Sequence, residues 1–471
     1  MFLRLCCRAP WTVISLSKYL YNTRDSTLNH HFVKRMPPPS PPQPEDRLVR
    51  AIGPWALGAN AVNNTVGAGI FVLPALVAAI LGPAAILAYL MCGFAMALVL
   101  TCFIEIGTLV RRSGGAVAYV EEAFGPLVGF LAWVLYGLTA SLVAQSALIT
   151  VLFDTVAAVF PALAHGFPRA LGIAALLGVL AAVNIRGIRH GMGVAVTATV
   201  AKLVPLLSLV AAGLLVMNWN ELAWTGWPPA AKLGEASLLL MLAFSGAEVA
   251  LTPSGEIRDP ARTVPRAMFG ATTCFILLYL ALQIVSQGIL GPQLAEETRA
   301  PLAAVAGKIV PGFGRGLILV CTAISILGTV SSGIVTLPRA IFLAAENGMI
   351  PAKLASVHPR YRTPHYAILT AAVLFFTLAV SGTFRPLAIF SSVSRLLIYA
   401  TVCLGALRLR LTREPVPGAF RAPGGPLIPI LAAASVMWLL HYSTWRQIVP
   451  LSMTAALALG YYLLRRRKGT P

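Results

Sequence analysis

Ionisable side chains lie inside three of the long apolar stretches of this chain. Glu248 follows segment 244–247, Lys202 lies within 201–205, and Arg395 has no evident partner nearby in sequence. Because charge in a hydrocarbon core is costly, such residues tend to serve a function. Glu248 could contact an amine or take part in proton transfer, whereas a hydrogen-bonded structural carboxyl is the alternative. Lys202 could gain and lose a proton, unless its stem lets the ammonium reach the membrane interface.

Residues that weaken a helix interrupt two of the apolar stretches near their centres. The first stretch contains Asn64, Gly67 and Gly69 within segment 63–71, and the sixth contains Gly246. Glycine within a helix costs about 1 kcal/mol relative to alanine. The pattern therefore predicts that the first and sixth helices are unwound halfway along their length.

Unwound membrane helices have free peptide groups that can bind a ligand. The N-terminal end of a half-helix carries positive charge and free N–H groups, which suit a carboxylate, and a C-terminal end offers carbonyls to an ammonium. An amino acid carries both groups on one carbon. Glycine in membrane helices also simply allows close packing, which is the alternative explanation. Two breaks five stretches apart favour the binding role, since an inverted repeat places them together.

Hydroxyl side chains in the eighth stretch provide a further candidate site. Ser331 and Ser332 follow Gly328-Thr329-Val330. Their oxygens could coordinate a cation or accept a hydrogen bond from the ammonium of Lys202. Serine in a membrane helix often bonds only to its own backbone, so this alternative stays open.

The elements that must position these residues are long apolar helices. The chain has 471 residues, of which 58% are hydrophobic and 11% charged. Runs of about 20 apolar residues span a membrane as helices, and the short alternating pattern of a β-barrel is absent from the sequence. The sequence thus predicts an all-α integral membrane protein with twelve transmembrane helices, near residues 55–80, 84–107, 126–152, 169–185, 191–217, 234–255, 268–290, 315–345, 366–382, 387–408, 427–442 and 447–464.

The net charge of +20 has an unequal distribution along the chain. In a soluble protein it would indicate nucleic-acid binding. Here lysine and arginine concentrate in alternate loops, as the positive-inside rule requires. We therefore expect no nucleic-acid partner, a multi-pass protein of the cytoplasmic (inner) cell membrane, and both termini in the cytoplasm.

Composition divides the chain into four segments. Residues 1–50 are rich in proline and predict a disordered tail, with translation starting at Met36 as an alternative. Residues 51–217 are expected to form the first repeat (spans 1–5) and residues 218–410 the second (spans 6–10). Residues 411–471 would hold two extra helices and a short basic tail.

The sequence contains little that indicates an enzyme. The seven cysteines and seven histidines show no metal-ligand spacing, and no zinc-protease, nucleophile-elbow or phosphate-loop motif is present. We expect no cofactor, metal or catalytic residue. A channel or a non-transporting membrane sensor is a remote alternative.

Six motifs in order resemble the amino acid–polyamine–organocation permeases, over about residues 51–467. They are Val66-Gly67-Ala68-Gly69-Ile70-Phe71; Ser113-Gly114-Gly115 with Tyr119 and Phe124-Gly125; Phe244-Ser245-Gly246-Ala247-Glu248; Gly255-Glu256-Ile257-Arg258-Asp259-Pro260; Glu346-Asn347-Gly348-Met349-Ile350-Pro351; and Phe420-Arg421-Ala422-Pro423-Gly424-Gly425-Pro426. The resemblance implies the leucine-transporter-type fold, a 5+5 inverted repeat plus two extra helices, and alternating access around a central site.

The resemblance also implies roles for individual residues. The substrate-binding set would be Asn64, Gly67, Ala68, Gly69, Ile70, Phe244, Ser245, Gly246 and Glu248. The proton-coupling set would be Lys202, Ser331, Ser332 and Glu248, because Lys202 matches a fifth-span lysine of proton-dependent members. Leu242 stands where some arginine-handling members have a large aromatic residue, so the side-chain preference is not implied.

These observations predict a secondary active transporter of amino acids, coupled to proton symport. An amino acid or amine exchanger on the same fold is the alternative. The expected partners are an amino acid, a proton and the lipid bilayer, with the protein acting as a monomer or homodimer.

Overall fold

The computed structural model describes residues 52–467 except 68, 111–113, 187–191, 225, 298, 347, 349, 415 and 417. The chain divides into two units, Met1–Arg47 and Leu48–Pro471. The predicted tail, with the alternative start at Met36, lies outside the described residues.

Sixteen α-helices form the described part of the second unit. They are α1 Pro54–Thr65, α2 Gly69–Leu81, α3 Ala85–Leu109, α4 Ala116–Phe124, α5 Pro126–Ala132, α6 Ser141–Ala157, α7 Gly166–Ile185, α8 Met192–Val216, α9 Ala230–Phe244, α10 Pro260–Leu290, α11 Pro301–Ile309, α12 Gly314–Glu346, α13 His365–Ser381, α14 Phe384–Thr412, α15 Leu427–His441 and α16 Trp445–Arg467. The single extended pairing among the described residues is a parallel bridge between Ile52 and Ile257.

All twelve predicted apolar runs coincide with helices, but the number of membrane spans stays a prediction. Eight continuous helical stretches in the described chain are long and apolar enough to cross a membrane. One of them, Gly69–Leu109, joins the second half of the first predicted run to the whole of the second. Shorter apolar helices are Val200–Val216, His365–Ser381 and Leu427–His441. The all-helical membrane character is confirmed, whereas the 5+5 repeat stays a prediction.

Apolar side chains cover both the interior and much of the surface of this unit. Large aromatic residues such as Tyr89, Phe103 and Phe275 are fully buried, while Leu215 and Phe94 are 86% and 63% exposed. In water such a surface would associate with other molecules, but in a bilayer the lipid tails cover it. The polar contacts that position a site therefore have to come from inside the helix bundle.

The third predicted run contains an irregularity that its sequence did not reveal. Between α5 and α6 the chain forms a π-helix over Trp133–Ala140. The wider π turn is usually found at functional positions. Side chains satisfy carbonyls along it: Ser391 and Ser394 of α14 donate to the carbonyls of Ala140 and Leu135, at 3.0 and 2.7 Å. The π-helix is thereby fixed against α14.

Candidate functional site

The first break lies between α1 and α2, where the sequence predicts it. Helix α1 ends at Thr65, and Val66 leaves the helical conformation with ψ 71°. The N–H of Gly67 donates to the carbonyl of Thr65 at 2.7 Å, and α2 begins at Gly69. Because α2 starts in the protein interior, its first N–H groups have no partner within the helix.

A lysine from α8 holds the carbonyl end of this break. The Nζ of Lys202 donates to the carbonyls of Asn63 and Val66, at 3.0 and 2.9 Å. The side chain is buried, so the ammonium depends on these carbonyls for solvation. An ammonium also neutralises the negative end of the α1 dipole. Any change in the charge of Lys202 would therefore act directly on the first break.

The second break follows α9 and requires glycine. Helix α9 ends at Phe244, and Gly246 adopts φ 128°, a conformation that side-chain-bearing residues rarely take. A Cβ atom at Gly246 would also lie 2.6 Å from the carbonyl oxygen of Asn64. The chain then continues as a 3-10 helix, Ala247–Leu251. The two unwound segments thus touch backbone to backbone, and a side chain at Gly246 would separate them.

Glu248 fixes the second break through four hydrogen bonds. Its Oε2 accepts the backbone N–H of Gly246 at 2.8 Å. Its Oε1 accepts the hydroxyls of Tyr136 and Tyr399, both at 2.7 Å, and Nη1 of Arg395 at 3.1 Å. The guanidinium of Arg395 also lies over the Tyr136 ring, 5.4 Å from its centroid. This carboxylate therefore joins the second break to the π-helix and to α14.

One tyrosine bonds to both breaks. The hydroxyl of Tyr279, on α10, lies 2.7 Å from the carbonyl of Thr65 and 3.2 Å from that of Ala243. These carbonyls belong to the last turns of α1 and α9. The ring of Tyr279 packs edge-on against Phe244, with 5.2 Å between centroids. The broken ends are thus positioned by a single side chain.

A cavity of about 170 Å³ lies between the two breaks. This is smaller than the roughly 300–1,000 Å³ of pockets for drug-sized ligands, so it suits a small molecule. It is lined by Asn63, Asn64, Thr65, Gly67, Gly69, Gly137, Ser141, Ala144, Gln145, Leu148, Leu242, Ala243, Ser245, Gly246, Val249, Thr329, Ser332, Gly333, Thr336, Leu337 and Arg395.

Predicted site residues divide between the cavity wall and the layer behind it. Asn64, Gly67, Gly69, Ser245, Gly246 and Ser332 line the cavity. Among the described residues, Ile70, Phe244, Glu248, Lys202 and Ser331 lie outside its lining. Ala68 lies outside the described residues. Lys202 bonds to the carbonyls of the first break, and Ser332 donates to the carbonyl of Gly328 in its own helix at 3.1 Å.

Several residues of the site were missed by sequence reasoning. Tyr136, Tyr279 and Tyr399 bond to the breaks or to Glu248, and Gln145 lines the cavity. A polar residue such as Gln145 in the middle of an apolar run was a usable signal. The tyrosines carried none, because tyrosine is common in membrane helices.

No group of three or more histidine, cysteine, aspartate or glutamate side chains that could hold a metal ion occurs among the residues that the structure describes. The polar groups of the cavity are backbone amides, carbonyls, hydroxyls, carboxamides and one guanidinium. Such a set recognises a small organic molecule by hydrogen bonds.

Comparison with known proteins identifies the family of this chain. The sequence profile of the family described as "Amino acid permease" matches residues 52–458. The chain is 26% identical to the serine/threonine exchanger of Bacillus subtilis over 428 residues, covering 87% of this chain and 95% of that protein. It is 25% identical to the human large neutral amino acids transporter small subunit 2, covering 84% and 76%. It is 23% identical to the methylthioribose transporter of B. subtilis, covering 89% and 94%. Since the profile spans nearly all of the described unit, the chain belongs to the amino acid permease family.

Proposed function

We propose that this protein is a secondary active transporter that moves amino acids across a cell membrane by alternating access. One observation carries the proposal: two unwound helix segments touch each other and line a cavity sized for a small molecule. Such paired breaks suit a zwitterion, because one helix end offers N–H groups and the other offers carbonyls. The known transporters to which the chain is similar support the same class of cargo.

The substrate carboxylate is placed at the N-terminus of α2. Gly69 lines the cavity there, and a Cβ at this position would lie only 3.1 Å from the Cβ of Ala243. Glycine therefore lets α2 approach α9 closely at the cavity wall. Ala68 and Ile70 would contribute neighbouring N–H groups.

The substrate ammonium is placed against the carbonyl end of α9. The carbonyls of Phe244 and Ser245 are the candidate acceptors, while the Phe244 ring packs against Tyr89 and Tyr279. Glu248 lies behind this end, and its Oε2 fixes Gly246. We assign Glu248 the task of holding the second break in shape for the ammonium.

Lys202 is the residue that we assign to proton coupling. Its ammonium donates to two carbonyls of the first break, which lines the cavity. Loss of a proton removes the positive charge from these carbonyls and weakens both hydrogen bonds. The first break is then free to change shape, so proton binding and substrate binding become linked. Ser331 and Ser332 remain proposed proton-site neighbours on α12.

Exchange of one amino acid for another is the second candidate function. The similarity to a protein named as a serine/threonine exchanger favours it. The chain is also similar to a protein named methylthioribose transporter, so the names of its relatives are not limited to amino acid transporters.

Uptake into proteoliposomes tests these functions. Under symport, radiolabelled amino acid enters empty vesicles when an inward proton gradient is imposed, and a protonophore abolishes this uptake. Under exchange, uptake requires internal amino acid and persists with the protonophore. Absence of uptake, counterflow and ligand-induced thermal stabilisation for all amino acids would refute amino acid transport.

The membrane placement belongs to the same proposal. With both termini in the cytoplasm of a cell membrane, the start of α1 and the end of α12 face inward. A cysteine placed at Gly53, which precedes α1, should react with a membrane-impermeant maleimide only after cells are opened.

A further inference from the structure

Two helix stripes with the same spacing line the cavity. On α6 the stripe consists of Ser141, Ala144, Gln145 and Leu148, and on α12 of Thr329, Ser332, Gly333 and Thr336. Residues at i, i+3, i+4 and i+7 share one helix face. Both stripes line the same cavity as the two breaks that would bind the amino and carboxyl groups, but they belong to other helices. They therefore surround the substrate's side chain, if the proposed function is right.

The hydroxyls on these walls present acceptors to the cavity. Thr329 and Ser332 donate to the carbonyls of Ser325 and Gly328, at 3.0 and 3.1 Å. Thr336 donates to the carbonyl of Ser332 at 2.8 Å, and Ser141 to that of Tyr136 at 3.1 Å. A hydroxyl has one hydrogen and two lone pairs, so each of these groups retains acceptor capacity only. A substrate side chain that can donate would find several partners here.

Gln145 brings to the cavity lining a carboxamide whose buried Oε1 has no hydrogen-bond partner in the described structure. Gly333 makes the room for it, because a Cβ at this glycine would lie 2.4 Å from the Gln145 Cδ atom. Since the two ends of a carboxamide are one donor and one acceptor, Gln145 can serve either function. Leaving a buried polar atom unsatisfied is costly, so a ligand that pairs with it is favoured.

Arg395 adds a donor to the lining of the same cavity. Its Nε is buried without a partner in the described structure. Its charge is balanced by Glu248, whose Oε1 is 3.1 Å from Nη1. The pair is neutral overall, so the cavity does not attract an anionic side chain. For the same reason the pair gives a cationic side chain no net attraction.

We infer that Gln145 and Arg395 are specificity-determining residues and that the transported amino acids carry a short, uncharged side chain able to both donate and accept a hydrogen bond. A hydroxyl or a carboxamide meets this requirement. An aliphatic side chain of the same shape leaves Gln145 and Arg395 unpaired, and an acidic one faces the hydroxyl oxygens without a hydrogen to donate.

Threonine and valine provide the sharpest test, because they have nearly the same shape and differ in one hydroxyl. Purified protein in detergent is titrated with L-threonine, L-valine, L-alanine, L-glutamate and L-lysine, and thermal stabilisation gives the affinities. Uptake competition in proteoliposomes with the same panel gives a second readout. We expect threonine to bind about tenfold tighter than valine, the effect of roughly one hydrogen bond to a polar site.

Two variants then address Gln145 separately. Gln145→Leu keeps the side-chain volume and removes the carboxamide, and Gly333→Ala displaces the carboxamide without removing it. Both should reduce the threonine-to-valine ratio to about twofold or less, and alanine binding shows whether the site still forms in each variant. Gln287→Leu is the matched control, since Gln287 is buried on α10 and does not line the cavity.

The inference is overturned if valine binds as well as threonine, if glutamate or lysine binds tighter than threonine, or if both variants keep the wild-type ratio. If alanine or another amino acid still binds and is taken up in these cases, the proposed transport function survives. If none of the amino acids binds or is transported, the proposed function fails and this inference with it.

Discussion

The two helix breaks are held by different kinds of side chain. At the first break, Lys202 alone donates to the carbonyls of Asn63 and Val66. At the second, Glu248 accepts four hydrogen bonds, including one from Arg395. Lysine can lose its proton within a protein, whereas arginine stays charged. The first break therefore has a support that can be released, and the second has a support that stays in place.

Under the proposed function, this difference favours movement at the first break and constancy at the second. A transporter needs one part that responds to the coupling ion and one that defines the site throughout the cycle. The network around Glu248 ties the second break to α14 and to the π-helix, which form a wall of the cavity. Substitutions at the two breaks test whether they differ in this way.

The largest effect is expected from Gly246→Ala. The variant forces a side chain into φ 128° and places its Cβ 2.6 Å from the Asn64 carbonyl oxygen, so the two breaks must separate. We expect no measurable amino acid uptake. Gly270→Ala on α10, whose Cβ would meet nothing within 4 Å, should transport normally. Wild-type uptake by Gly246→Ala would show that the breaks need not touch.

Lys202→Met should abolish proton-driven uptake. The variant keeps much of the side-chain volume but cannot donate to the carbonyls of the first break. The initial uptake rate under an inward proton gradient should fall by at least about tenfold and become equal to the rate without a gradient. A loss of this size is consistent with removing charge-assisted hydrogen bonds. Lys232→Met, at an exposed position on α9, is the control. A variant that retains the gradient dependence of the wild type would remove Lys202 from the coupling mechanism.

Glu248→Gln should lower stability without removing proton dependence. The amide still accepts hydrogen bonds, but it leaves the buried charge of Arg395 unpaired, and breaking such a pair costs about 3 kcal/mol. Thermal unfolding in detergent should show this loss, while the residual uptake keeps its ratio with and without the gradient. Glu235→Gln, which breaks an exposed pair with Arg385, should cost less than about 1 kcal/mol. Loss of the gradient response in Glu248→Gln would place proton coupling at the second break as well.

Gly67→Ala should have the smallest effect. A Cβ at Gly67 would have no neighbour closer than 3.9 Å, in contrast to Gly246. We expect uptake within about twofold of the wild type, since ordinary van der Waals contact costs little. Gly67→Leu, whose longer side chain would reach into the cavity, should block binding. An equal loss of amino acid uptake in Gly67→Ala and Gly246→Ala would mean that the two breaks are equally rigid.

Helix breaks and apolar runs could be predicted because their signals are local. Glycine and asparagine within segment 63–71 weaken a helix wherever it packs, and the chain leaves the helix at Val66 as expected. The same reasoning found the end of α9 beside Gly246. Such features depend on neighbouring residues only, so a single sequence contains them.

Contacts around the charged residues could not be predicted because they are long-range. Tyr136, Arg395 and Tyr399 are 112, 147 and 151 positions from Glu248 in the chain. Arg395 had no explanation in sequence for this reason. Lys202 was matched to serine hydroxyls of the eighth run, but its two hydrogen bonds go to backbone carbonyls, which every residue possesses. Side-chain type alone does not reveal such partners.

The hydroxyl of Tyr279 has a consequence for how the two halves of the site can move. Because it lies 2.7 Å from the carbonyl of Thr65 and 3.2 Å from that of Ala243, displacement of one unwound segment without the other breaks a contact worth about 1 kcal/mol. A hydroxyl that contacts both carbonyls couples the movements of two segments that are far apart in the chain. Under the proposed function, a shift of either break would thereby be transmitted to the other through a single phenol oxygen.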